Sequence, residues 1–250
     1  MMTAMPPKPP RPDAPGTRIA LLVSHGQPSE PQVGEDEIAA LAAAVSEHAP
    51  GWDIRGATLA APGALEAALV GTPKAAPLYP MFIADGWFTQ SALPKRLDGA
   101  PVRQMNPFGM DPGLPAFAAD WLRREIAAAG WRPENTALFI AGHGSGRSPR
   151  PAAVTRDFAD ALTALLPLRE IRCGFVEEAP SLEDMAAGLG DKAICLPFFA
   201  AKRGHVLDDV PEALDAVGFT GLRLDPIGCH PGIPALIARR LTEEPAEVST

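Results

Sequence analysis

The sequence predicts an α/β fold of two duplicated lobes, each a doubly wound, mainly parallel sheet. Three observations carry this. Apolar runs of strand length alternate with Ala/Leu-rich stretches of helical spacing along most of the chain. The order of elements runs through once and then begins again. The two passes also align: His25 plus 118 is His143, and the same offset takes Gly26 to Gly144, Pro62 to Pro180 and Gly86 to Gly204. One residue more, 119, takes Pro107-Phe108-Gly109 to Pro226-Ile227-Gly228 and Pro112 to Pro231. An offset that constant marks an internal duplication.

The first pass opens with a strand at 18–24 (RIALLVS) that ends at His25-Gly26. A helix at 36–48, a strand at 52–59 and a short helix at 62–70 follow. The next strand, 75–83, contains Pro77 and Pro80, which remove ladder N–H groups and put its pairing in question. Residues 84–88 lead into a helix from about 91, then a short strand at 102–105. Asp111 is placed to cap a helix at 112–129, with proline at an early helical position. After a linker at 130–135 the second pass gives strands at 137–142, 171–176, 192–199 and 222–226. Helices at 151–166, 181–188, 206–217 and 231–241 alternate with them. The lobes are expected at 18–130 and 136–244. Residues 1–17 hold six prolines, lack the apolar core of a signal peptide, and read as a disordered arm.

Composition narrows the function. Of 250 residues, 46% are apolar and 21% charged, a soluble globular balance, and the net charge of -8 gives no general affinity for nucleic acid or anionic membrane. No apolar run reaches membrane-spanning length. Cys173, Cys195 and Cys229 are far apart, which fits buried thiols in a reducing cytoplasm and neither a disulfide set nor a zinc knuckle.

The stretch Ala141-Gly142-His143-Gly144-Ser145-Gly146-Arg147 follows an apolar strand and precedes a helix. In open α/β sheets ligands bind at the carboxyl ends of strands, and flanking glycines let them approach the backbone. The duplication adds partners. In the second copy His143, Glu177 and His205 each fall just past a strand end, so one sheet can aim all three into one cleft. By the 118 offset, Leu59 and Ala60 stand where the second copy has Glu177 and Glu178, and Trp87 stands for His205. The first copy therefore keeps His25 alone, and bulky Trp87 is expected to fill the space of the second histidine. Two imidazoles and a carboxylate suit a divalent transition metal with open positions, or acid–base work. HExxH, Walker lysine and GxSxG motifs are absent. Phe198 and Phe199 are candidates to wall a large flat ligand, and both also suit a core. Arg147, Lys202 and Arg203, local cations in an acidic chain, suggest an anionic substrate. A glycine-rich anion loop around His143 is a rival reading that leaves His205 and Glu177 unexplained. His230, aligned with Asp111 and followed by Pro231, reads as a cap, and His48 as a helix-end residue.

These pieces resemble the class II tetrapyrrole chelatases that insert cobalt or iron into sirohydrochlorin. The resemblance rests on Gly142-His143-Gly144-Ser145, Phe175-Val176-Glu177 with Pro180-Ser181-Leu182, and Leu196-Pro197-Phe198-Phe199. It extends to Gly204-His205-Val206 with Asp209-Val210-Pro211, and to Pro226-Ile227-Gly228 with His230-Pro231. It covers nearly all of the second half and the first half more loosely. It implies a two-lobed fold and insertion of Co2+ or Fe2+ into an anionic tetrapyrrole, in cobalamin or siroheme synthesis. The metal would be a substrate, with no permanent cofactor. His143 and His205 would handle the metal, and Glu177 or Glu178 would be the acidic partner. The first half would be scaffold. A non-catalytic metal or tetrapyrrole carrier of the same fold is the alternative.

Overall fold

The computed structural model describes residues 18–243. The proline-rich arm expected at 1–17 lies outside them. In the first half the strands are β1 (Arg18–Ser24), β2 (Trp52–Thr58), β3 (Ala76–Pro80) and β4 (Val102–Gln104). They interleave with helices α1 (Pro31–Glu47), α2 (Ala64–Ala68), α3 (Leu93–Leu97) and α4 (Leu114–Ala128). The second half repeats the order. Its strands are β5 (Ala137–Gly142), β6 (Glu170–Phe175), β7 (Ala193–Pro197) and β8 (Leu222–Arg223). Its helices are α5 (Arg150–Leu165), α6 (Leu182–Ala186), α7 (Asp209–Ala216) and α8 (Ile233–Thr242). Each half forms a four-stranded sheet, ordered β2-β1-β3-β4 and β6-β5-β7-β8, and every pairing is parallel.

The period of two along the central strands builds three apolar layers. Ala20 and Leu22 of β1 and Leu138 and Ile140 of β5 enter one shared core, with buried faces of α1, α4, α5 and α8. Leu21 and Val23 turn outward beneath α2 and α3, and Phe139 and Ala141 outward beneath α6 and α7. Four helices thus lie between the two sheets. They meet across the duplication as α1 with α8 and α4 with α5. Buried residues of α1, namely Gly34, Ile38, Ala42 and Val45, recur at helical spacing, which gives it one core-facing stripe.

Some boundaries differ from the sequence reading. Helix α1 starts at Pro31, five residues earlier, because a proline at the first position costs no helical N–H bond. Strand β3 is internal despite its prolines. Each proline removes one N–H and keeps its carbonyl, and the neighbouring bonds hold the register: Met81 N–H to the Val23 carbonyl at 2.7 Å and Met105 N–H to the Leu78 carbonyl at 2.8 Å. Cys195 is buried and Cys173 partly so, and burial pushes their thiols up to about 12 and about 11, whereas Cys229 is exposed at the surface.

Asp111 and His230 do the same work in their two copies. The Asp111 carboxylate accepts the Gly113 N–H at 2.8 Å, and His230 Nδ1 accepts the Gly232 N–H at 2.9 Å, just ahead of α4 and α8. His230 Nδ1 must therefore be unprotonated. Burial, then the nearby Arg124 charge, hold its pKa below the ordinary imidazole value. The unfolded chain thus takes up this proton first, so stability is lost as pH falls through about 6.5 and shows no slope from this group above it. In His230→Asn, which accepts without titrating, the melting temperature should fall less than in wild type between pH 7.5 and 5.5. Parallel losses in the two proteins would remove His230 as the source.

Candidate functional site

The carboxyl ends of both sheets open on one cleft of about 860 Å³, lined from both lobes. His25, Phe82, Trp87 and Phe88 contribute from the first lobe, and His143, Arg147, Phe199 and Lys202 from the second. Two ion pairs join the lobes there. Arg150 grips the Asp85 carboxylate through Nε at 2.6 Å and Nη2 at 2.9 Å, and Arg203 Nε donates to Glu37 at 2.9 Å.

His143 leaves the end of β5 on a turn that only glycine can complete. Gly144 has φ +67, and a Cβ there would lie 2.8 Å from Glu178 Cγ and 2.9 Å from Phe175 Cβ. The Gly144 carbonyl accepts from His143 Nδ1 at 2.9 Å, which fixes the tautomer and leaves Nε2 with its lone pair free. His25 makes the same bond to the Gly26 carbonyl at 2.6 Å, so the local geometry belongs to both copies. His205, on a short 3₁₀ turn ahead of α7, is oriented by Asp209, whose carboxylate lies 2.7 Å from Nδ1. Such a carboxylate–imidazole pair fixes the ring's orientation and aims the other ring nitrogen.

Ligand atoms of His143, Glu177 and His205 all lie within 4.8 Å of one another, a spacing that one metal ion can bridge. The two imidazole rings are edge to face at 4.7 Å. Glu177 and Glu178 separate clearly in space. Glu178 Oε1 accepts the Ser145 N–H at 2.9 Å and braces the loop after His143, whereas the Glu177 carboxylate joins the imidazoles. That brace also weakens the anion-loop reading, because the chain's own carboxylate occupies the Ser145 N–H.

The first copy differs from its expected form in two places. The Ala60 N–H bonds to the His25 carbonyl at 2.9 Å, as the Glu177 N–H bonds to the His143 carbonyl at 2.9 Å. Ala60, not Leu59, is therefore the spatial counterpart of Glu177. Trp87 does not fill the second histidine's place, being 66% exposed. Phe88 takes it, with its ring 4.2 Å from His25 in the edge contact that His205 makes with His143. The pairing continues the offset of 117 that already relates Ala60 to Glu177 and Met81 to Phe198. Neither alanine nor phenylalanine is a ligand, so His25 stands without ligating partners among the described residues.

Of the two expected wall residues, Phe199 lines the cleft, with its ring 6.5 Å from that of His143. Phe198 does not. It is fully buried and stacks on Phe158 at 4.4 Å, because successive residues of an extended chain point to opposite faces. Lys202 and Arg203 line the cleft but are paired with Asp225 and Glu37. Arg147 lines it with no ion-pair partner among the described residues.

Two parallel-sheet lobes closing on a cleft, with a His/Glu/His cluster of metal-ligand type at the strand ends of one of them, define a two-lobed α/β protein. Residues 137–244 match the CbiX family model. A solved CbiX from denitrifying bacteria, described as the terminal enzyme for siroheme biosynthesis, is 44% identical, with a TM-score of 0.82 over 92% of this chain and 100% of that one. The chain belongs to the CbiX family. SirB from Bacillus subtilis, solved with Fe3+, is 16% identical and shares the fold, with a TM-score of 0.70 over 90% of this chain and 94% of that one. A probable sirohydrochlorin cobaltochelatase of Halobacterium salinarum is 24% identical over 53% of this chain. The match spans about half, 54%, of that curated relative's length.

Proposed function

We propose that this protein inserts a divalent metal, cobalt or iron, into a sirohydrochlorin-type tetrapyrrole. The observation that carries the reading is the convergence of His143, Glu177 and His205 within 4.8 Å at the cleft end of one lobe of a CbiX-family fold. The metal is a substrate, held through Nε2 of the imidazoles and the Glu177 carboxylate and passed to the macrocycle. Metal–nitrogen bonds replace two pyrrole N–H bonds, and two protons leave. Glu177 accepts protons as those bonds form. With Nδ1 turned to the Gly144 carbonyl in His143 and to Asp209 in His205, each ring presents Nε2 to the metal. Among the described residues no helix is long and apolar enough to cross a membrane. We place the reaction in the cytoplasm, whose reducing conditions suit the free cysteines.

The direct test is to incubate the purified protein with sirohydrochlorin and Co2+ or Fe2+ and follow the absorption spectrum against a protein-free control. No acceleration with either metal would overturn the reading. A second expectation concerns site number. Co2+ titration should give about one equivalent per chain, lost in His143→Ala and kept in His25→Ala, because a lone imidazole competes poorly with water. Two equivalents, or loss of the site in His25→Ala, would give the first lobe a ligating role.

Arg147, without an ion-pair partner among the described residues, is the lining cation best placed to meet a substrate carboxylate. Arg147→Gln should raise KM several-fold with kcat little changed, and added salt should narrow the difference from wild type. The same change at Lys202 should do less, because Asp225 already neutralises it. A KM unaffected by either substitution would remove these cations from substrate capture.

A further inference from the structure

The first lobe carries an aromatic group that the metal chemistry leaves unused. Trp87 is 66% exposed and Phe88 37% exposed, and both line the cleft. The other large apolar side chains exposed among the described residues are aliphatic: Val33, Val70, Leu165 and Leu207. Phe88 is held from three sides, by the edge contact with His25 at 4.2 Å, by Phe82 stacked at 5.9 Å and by Trp87 at 5.0 Å. The turn beneath is pinned as well. Buried Thr89 accepts the Gly86 N–H through its hydroxyl at 2.9 Å, and its carbonyl accepts from Gln104 at 2.8 Å. Asp85, two residues before Trp87, is the carboxylate gripped by Arg150, so this loop is tied to the segment that follows His143.

A pre-set, exposed aromatic pair costs water contacts unless a ligand covers it, and a patch of this kind marks a binding surface. The cleft says what the ligand must be. It is wide enough for a large flat molecule and carries in its lining Arg147, which has no ion-pair partner among the described residues. An occupant with apolar faces and an anionic rim complements both features. The duplication points the same way. Where the second copy keeps Gly204 and His205, the first presents Trp87 and Phe88.

We propose that Trp87 and Phe88 form the wall on which one face of the tetrapyrrole stacks, leaving the other face to the metal held by His143 and His205. The degenerate copy is then a working half of the site, supplying macrocycle affinity where its twin supplies ligands. This rests on the tetrapyrrole reading of the cleft, and the test separates the two. Metal-free sirohydrochlorin is titrated into the full chain and followed by its visible difference spectrum. Wild type, Trp87→Phe, Trp87→Ala and the Trp87→Ala/Phe88→Ala pair are compared. Trp87→Ala should raise Kd about ten-fold and the pair further, while Trp87→Phe stays near wild type and Co2+ stoichiometry is unchanged in all four. A Trp87→Ala Kd within two-fold of wild type would overturn the stacking wall and leave the chelatase reading standing. Wild type that fails to bind sirohydrochlorin would overturn both. Light scattering covers the remaining occupant: a dimer lost in Trp87→Ala, with tetrapyrrole affinity unchanged, would assign the wall to a second copy of the chain and overturn the proposal.

Discussion

Replacing either His143 or His205 by alanine should lower the catalysed rate of metal insertion by about 10²-fold or more, the scale of a lost acid–base or electrostatic group. The expectation follows from the proposed metal site, in which each imidazole supplies one ligand atom to a cluster with a single carboxylate as its third member. The loss should appear in kcat/KM for the metal and in metal retention, while the fold persists. His143 is exposed and His205 only half-buried, so neither side chain supports the core. Asp209→Asn should act in the same direction and less strongly. It keeps a partner for His205 Nδ1 but removes the charge that orients and enriches the ring, a change worth about 10-fold to 100-fold at comparable metal sites. A near-wild-type rate in His205→Ala would take that residue out of the reaction.

Much of this architecture was legible in the sequence because its signals are local. Unbroken apolar runs such as 137–142 have one low-energy placement, in a strand buried on both faces, and the repeat fixed their order. The repeat also singled out His143, Glu177 and His205, and those three meet in space. What failed depended on contacts that a linear offset does not see. The offset is 118 at His25 but 117 where Ala60 N–H bonds to the His25 carbonyl, so Glu177 was paired with the wrong residue of the first copy. The same offset of 117 holds at Met81 and at Phe88, which puts Phe88 in the place of His205 and leaves Trp87 exposed. Phe198 and Phe199 are chemically alike, and only the strand's facing decides which is core. Glu178 was hard to separate from Glu177 because its role is set by a backbone N–H thirty-three residues away in sequence, at Ser145. The pairings of Lys202 with Asp225 and Arg203 with Glu37 are likewise long-range, and of these three cleft cations they leave Arg147 without an ion-pair partner among the described residues.

Glu177→Gln separates an enzyme from a protein that only holds its ligands. The substitution keeps the size of the side chain and a carbonyl oxygen, and removes the charge and the capacity to accept a proton. Metal bound mainly by two imidazoles should survive it, so Co2+ stoichiometry should stay near one per chain with affinity reduced several-fold. Insertion should fall by about 10²-fold or more, because two pyrrole protons must leave and the carboxylate in the cluster is gone. Glu178→Gln is the matched control. Its amide carbonyl can still accept the Ser145 N–H, so the loop keeps its brace and the rate should remain within a few-fold of wild type. The contrast between adjacent glutamates is the informative quantity, since both changes remove one negative charge from the same stretch of surface. Equal losses in the two variants would point to the local field, not to a proton acceptor at Glu177. A rate unchanged in Glu177→Gln, with the metal still bound, would mean that the protons leave by another group.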